Sequence, residues 1–170
     1  MTVFLCGFMG CGKTTAGKLA AKKLGYAYAD TDEMIVKQEN RSIPEIFADS
    51  GEPYFRSVEA EVVKSLCGKN AVVSCGGGAL LNDETAAAAK KEGIVIFLDV
   101  PFEVCYERIK NDSNRPIAAS SDKEELLERF NNRHEIYLKN ADVRIDCCGT
   151  PLENAEKIAD AVKRGKNADI

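Results

Sequence analysis

The chain has 170 residues, 45% of them hydrophobic and 29% charged, with a formal net charge of −4. That size and balance fit one globular domain with its own core, and the acidic surplus gives no electrostatic footprint for nucleic acid. No apolar run approaches the roughly 20 residues of a membrane span, and seven cysteines, odd in number and without a C-x-x-C pair, read as reduced thiols of a cytoplasmic protein.

Helix and strand signals alternate from end to end, which predicts an α/β fold with a mainly parallel sheet and one domain over 1–170. The first strand spans Thr2 to Cys6; with no charged leader before it, it reads as a core strand and not a signal peptide. It feeds Gly7-Phe8-Met9-Gly10-Cys11-Gly12-Lys13-Thr14, a match to G-x-x-x-x-G-K-[ST], and a helix follows from Ala16 to Leu24. Strand, glycine loop and helix together form a phosphate cradle. The glycines bring backbone N–H groups close to phosphate oxygens, and the helix N-terminus adds unpaired donors. Lys13 can reach the terminal phosphates and the Thr14 hydroxyl can ligate Mg²⁺. Cys11 inside this loop is either a reactive, alkylation-sensitive thiol or an inert small residue.

A second strand, Tyr26 to Ala29, ends at Asp30-Thr31-Asp32. If the chain stays extended, both carboxylates point the same way. One then suits Mg²⁺ through water and the other a substrate hydroxyl. The alternative is a cap and first-turn acid for the next helix. Helical patterns follow over Glu33–Glu39, Pro44–Asp49 with Ser42 as its cap, and Tyr54–Cys67. Arg56 and Glu59 meet on one face of the last, either as an arginine held for an anion or as an ordinary surface pair. A third strand, Ala71 to Ser74, ends at Gly76-Gly77-Gly78, which either approaches a ligand with its backbone or is a flexible turn.

The segment Asp83–Lys91 reads as a helix, Ile94–Leu98 as a buried strand, and the residues from Asp99 to Lys110 as a helix with Arg108 on its surface. Asn111 to Asp122 is polar and long for a connection, hence a lid candidate, and its Arg115 can neutralise a transferring phosphoryl group. A charged helix from Lys123 to Lys139 carries Arg133 and the only histidine, His134, expected on the surface and not as a metal ligand. A last strand covers Val143–Ile145, and Cys147 to Pro151 turns into a final helix ending near Arg164.

In order and spacing, Gly7-x-Met9-Gly10-x-Gly12-Lys13-Thr14, Asp30-Thr31-Asp32, Gly51-Glu52-x-x-Phe55-Arg56-x-x-Glu59, Gly76-Gly77-Gly78, Arg115-Pro116 and Arg133-x-x-x-Tyr137 resemble the pattern of shikimate kinases, over nearly the whole chain. The resemblance implies a fold like that of nucleoside monophosphate kinases, a P-loop NTPase architecture with a five-stranded parallel sheet, helices on both faces and a mobile lid at about 111–122. It implies transfer of the ATP γ-phosphate to the 3-hydroxyl of shikimate, with ATP and Mg²⁺ required and shikimate as the small-molecule partner, and a monomer is expected. It assigns Lys13, Asp32 and Arg115 to catalysis. Gly10, Cys11, Gly12, Lys13, Thr14, Thr15, Arg108, Arg115 and Pro151 would hold the nucleotide, and Thr14 and Asp30 the metal. Asp32, Arg56, Gly76, Gly77, Gly78 and Arg133 would line the shikimate site, the two arginines gripping its carboxylate.

Three departures stand out. The lid continues as Ile117-Ala118 where the family often has Leu-Leu, Glu135 replaces a common proline, and Cys147-Cys148 has no evident physical reason. The rival reading is another small-molecule kinase of this fold, for gluconate or a nucleoside monophosphate. A GTP switch would need a guanine-reading Asn-Lys-x-Asp, which the chain lacks.

Overall fold

All five residues of β1 (Thr2–Cys6) are buried, as they can be only in a strand covered on both faces. The computed structural model describes residues 1–110 and 122–168. Among them the chain runs from β1 to α1 (Lys13–Leu24), β2 (Ala27–Asp30), α2 (Thr31–Glu39) and α3 (Ile43–Ser65). It continues through β3 (Ala71–Ser74), α4 (Asp83–Glu92), β4 (Gly93–Asp99), α5 (Phe102–Ile109), α6 (Lys123–Asn140), β5 (Val143–Asp146) and α7 (Pro151–Ala168). The described strands form one sheet of order β2-β3-β1-β4-β5 with every neighbouring pair parallel. The α/β parallel sheet expected from the alternating pattern is therefore present. No helix among the described residues is long and apolar enough to cross a membrane.

Period-two alternation splits the core. Val3 and Leu5 of β1 join Val72, Ile96 and Leu98 under α1 and α7, where Ala16, Ala20, Ile158 and Val162 close the layer. Phe4 and Cys6 face the other way, with Val73, Val95 and Phe97, under Ile35, Val58, Val62, Ala89 and Tyr137 from α2, α3, α4 and α6. Because all the strands run parallel, their following loops leave from one edge. Strand order reverses around β1, so the loops after β1, β2 and β3 open onto one crevice, where α/β sheets bind ligands.

Several boundaries shift by one to four residues from the sequence expectation, and those of α2 and α3 have a visible cause. The helix after β2 starts at Thr31, not Glu33, because the Asp30 side chain accepts from the N–H groups of Asp32 and Glu33 and caps it. The two helices expected at 44–49 and 54–67 form one element, α3, opened by a Ser42–Glu45 capping box. The expected break survives as a kink at Gly51 (φ 82°, ψ 167°), two residues before Pro53, which has no N–H to continue the ladder. Residues 111–121 of the expected lid lie outside the described residues; Asp122 is the side-chain cap of α6.

Phe4 is fully buried in the central strand. Phe4→Ala removes its ring from a packed layer, and urea denaturation should show a loss of about 3–5 kcal/mol.

Candidate active site

The loop after β1 is shaped by glycines at positive φ. Gly10 (φ 80°) lies so close to α5 that a Cβ there would be 2.8 Å from both Cys105 O and Ile109 Cγ2. Gly12 (φ 92°) precedes α1, leaving its first N–H groups without a side-chain cap and free to meet an anion. Lys13 Nζ lies over the loop, donating to Gly7 O at 2.8 Å and Phe8 O at 3.2 Å, and sits 3.4 Å from Cys11 Sγ. Thr14 and Thr15 follow, exposed, on the first turn of α1. Cys11 is 3% exposed and its sulfur packs on Gly7, which makes it the small packing residue of its two readings. All seven cysteines are free, and burial pushes Cys6, Cys105 and Cys147 up to about 12, so these thiols stay protonated.

Asp30 and Asp32 do not point the same way. Asp32 stands on the first turn of α2, so strand alternation ends at Asp30. Asp30 Oδ1 caps the helix, accepting from Asp32 N at 3.0 Å, while Oδ2 faces Thr14 Oγ1 at 3.5 Å. Capping and a contact with Thr14, on the first turn of α1, therefore coexist in one side chain. Asp32 instead turns toward the loop after β3. Thr31, fully buried between them, accepts the Gly76 N–H at 2.8 Å and ties the two loops together. That hydroxyl carries no motif signal beyond its place between the two acids.

The triple glycine lets side chains approach closely, and the Gly76 N–H donates to Thr31 Oγ1. A Cβ on Gly76 would lie 2.5 Å from Asp32 Oδ1 and 2.9 Å from Glu59 Oε1. One on Gly77 would lie 3.2 Å from Arg133 Nη1, and one on Gly78 would fall on the Arg56 guanidinium, 2.6 Å from Cζ. Three loop positions thus seat an acid and two arginines delivered by α2, α3 and α6. Tyr137, one turn beyond Arg133 and buried, fixes the same loop by donating to Gly77 O at 2.5 Å.

The arginines differ in their partners. Arg56 Nη1 pairs with Glu59 Oε2 at 2.7 Å and its Nη2 with Glu52 Oε1 at 3.0 Å, so it is no simple surface pair. Burial works against its charge, but the two carboxylates outweigh that and raise its pKa. Arg133 contacts Gly77 O at 3.4 Å, and burial, with Arg129 and Arg56 nearby, pushes its pKa down despite Tyr137. Two neighbouring guanidinia, one of them destabilised as a cation, make a receptor for an anion.

Arg108, expected as plain helical surface, reaches from α5 to the phosphate loop and donates from Nη1 to Gly10 O at 3.0 Å. Pro151 is exposed at the start of α7, whose first turn is closed by Thr150 and Glu153. Arg115 lies outside the described residues. His134 is not on the open surface: it is half-buried between the Phe97 and Phe130 rings, with Nε2 3.2 Å from Asp99 Oδ1. Glu52 and Thr31 are the residues that spacing alone missed as contributors here.

The family model for shikimate kinase matches residues 9–163. A shikimate kinase from Persephonella marina is 41% identical over 163 residues, spanning 95% of this chain and 98% of the relative. Among solved structures, shikimate kinase from Acinetobacter baumannii in complex with shikimate superposes with TM-score 0.89 at 33% identity, covering 97% of this chain and 94% of that one. Shikimate kinase from Aquifex aeolicus gives TM-score 0.86 at 38% identity, with 98% of each chain covered. A deoxyadenosine kinase from M. mycoides, 18% identical with TM-score 0.68, shares the fold.

Glu59 is 2% exposed, and burial raises its pKa more than Arg56 lowers it. Its contribution to stability is therefore greatest below the usual carboxylate pKa and falls as pH rises through the higher value of the folded state. Glu59→Gln, which carries no charge, should melt at or above the parent temperature at pH 7.5, and thermal scans should show that advantage shrinking at pH 4.5.

Proposed function

The chain belongs to the shikimate kinase family, and from that premise we propose which residues carry its reaction, the ATP-dependent phosphorylation of shikimate. The observation that carries the assignment is the seating of Asp32, Arg56 and Arg133 against Gly76, Gly78 and Gly77, within one crevice beside the phosphate loop. ATP binds with its phosphates on the loop from Gly10 to Thr15, and Lys13 leaves its carbonyl contacts to meet the terminal phosphates. Arg108 and Pro151 flank the adenine side. Arg56 and Arg133 hold the shikimate carboxylate, for which the planar guanidinium fork is suited.

The pair of hard oxygens, Thr14 Oγ1 and Asp30 Oδ2, 3.5 Å apart beside the loop, fits a magnesium ion that keeps most of its water. Bound there with ATP, that ion would offset phosphate charge. Asp32 orients the 3-hydroxyl for in-line attack and accepts its proton late, because the loose transition state asks little of a base. Its carboxylate is anchored from behind by the close fit on Gly76, so orientation is preset. Arg115, which lies outside the described residues, would complete the neutralisation of the moving phosphoryl group, and residues 1–170 act as a single domain. Free cysteines suit a reducing compartment, so the proposed place of action is the cytoplasm, and the proposed state is a monomer.

The test is ADP release with shikimate, gluconate and nucleoside monophosphates as acceptors against an acceptor-free blank; only shikimate should exceed the blank strongly. Asp32→Asn should lower kcat by on the order of 10²–10⁴. Arg56→Lys should raise KM for shikimate on the order of tenfold with a smaller change in kcat, since one fork contact is lost. Parental kinetics in both variants would remove these assignments.

A further inference from the structure

We infer that the Tyr28 hydroxyl is the positioning group for the carboxylate oxygen of Asp30 that faces the metal site, an inference that rests on the nucleotide–metal reading above. The two oxygens of Asp30 have separate tasks. Oδ1 is held by the helix cap, through Asp32 N at 3.0 Å and Glu33 N at 3.5 Å. Oδ2 faces Thr14 Oγ1 at 3.5 Å, and the Tyr28 hydroxyl donates to that same oxygen at 3.4 Å. Tyr28 and Asp30 lie two residues apart on β2, so both project from one face of the strand.

The ring is half-buried and set in place by α1. Gly17 lets it lie against the helix: a Cβ there would be 3.1 Å from Tyr28 Cε2. Lys18 Nζ stands 5.4 Å from the ring centroid on the same side. Without the Tyr28 donor the only hydrogen bond left to Asp30 Oδ2 among the described residues is the 3.5 Å one from Thr14 Oγ1, a group the metal would itself engage. With it, Oδ2 is aimed at Thr14 before any cation arrives. A phenylalanine would fill the same space and leave this single bond out. Groups that orient a metal ligand in this way commonly tune affinity.

The experiment measures Mn²⁺ binding to the enzyme–ADP complex by electron paramagnetic resonance of the free ion, with ADP affinity in EDTA and KM for shikimate determined alongside. Tyr28→Phe should weaken Mn²⁺ roughly tenfold and leave the other two constants at parental values. Equal Mn²⁺ affinity in Tyr28→Phe and the parent overturns the inference, as does an equal loss of metal-free ADP affinity, which would place the effect on the phosphate loop. Asp30→Asn separates the two levels. If it weakens Mn²⁺ while Tyr28→Phe does not, only the tyrosine role falls; if neither does, the metal site itself is misplaced.

Discussion

Close approach of the Gly76–Gly78 backbone to charged side chains is the constraint on which the site depends. An acid from α2, arginines from α3 and α6, and the buried Glu59 converge on three consecutive residues without side chains. Any Cβ there would displace at least one of them. The loop is in turn locked from below, by Thr31 Oγ1 on Gly76 N and Tyr137 OH on Gly77 O. A rigid floor of this kind holds reacting groups in fixed relation, which is most of what phosphoryl transfer asks of a protein.

Charge is distributed unevenly around that floor. Arg56 has two carboxylate partners, one of them buried, while Arg133 meets a carbonyl and feels two neighbouring cations. The 2.7 Å contact holds Glu59 and Arg56 in one geometry even though burying the Glu59 carboxylate is itself unfavourable. A carboxylate placed beside Arg133 would relieve that cost, and the field of the two guanidinia would favour a small anion even in a chain of net charge −4.

The two acids of Asp30-Thr31-Asp32 divide their work because a helix begins between them. Asp30 ends β2 and uses one oxygen as cap and the other toward Thr14; Asp32, already helical, turns to Gly76. One short segment thereby links Thr14 of α1 to the glycine loop after β3. The phosphate loop is braced from its other flank by α5, whose carbonyl at Cys105 and side chain at Ile109 fit against Gly10 and whose Arg108 holds Gly10 O.

The parallel α/β order, the glycine loop between β1 and α1 and the family were all legible in the sequence alone. Each depends on local signals: apolar runs, glycine spacing and short motifs with a stated chemistry. What only the tertiary structure decided was orientation and partnership. Strand periodicity placed Asp30 and Asp32 on one side, and a side-chain cap two residues earlier than expected separated them. Helical spacing paired Arg56 with Glu59 but could not say that Glu59 is buried, nor that Glu52 shares the guanidinium. His134 left the surface expected for it to meet Asp99, and Arg108, exposed as expected, also reaches Gly10, contacts 35 and 98 residues distant in the chain. Contacts of that separation leave no periodic trace, because they are set by how the strands order themselves around β1 and not by any neighbouring residue.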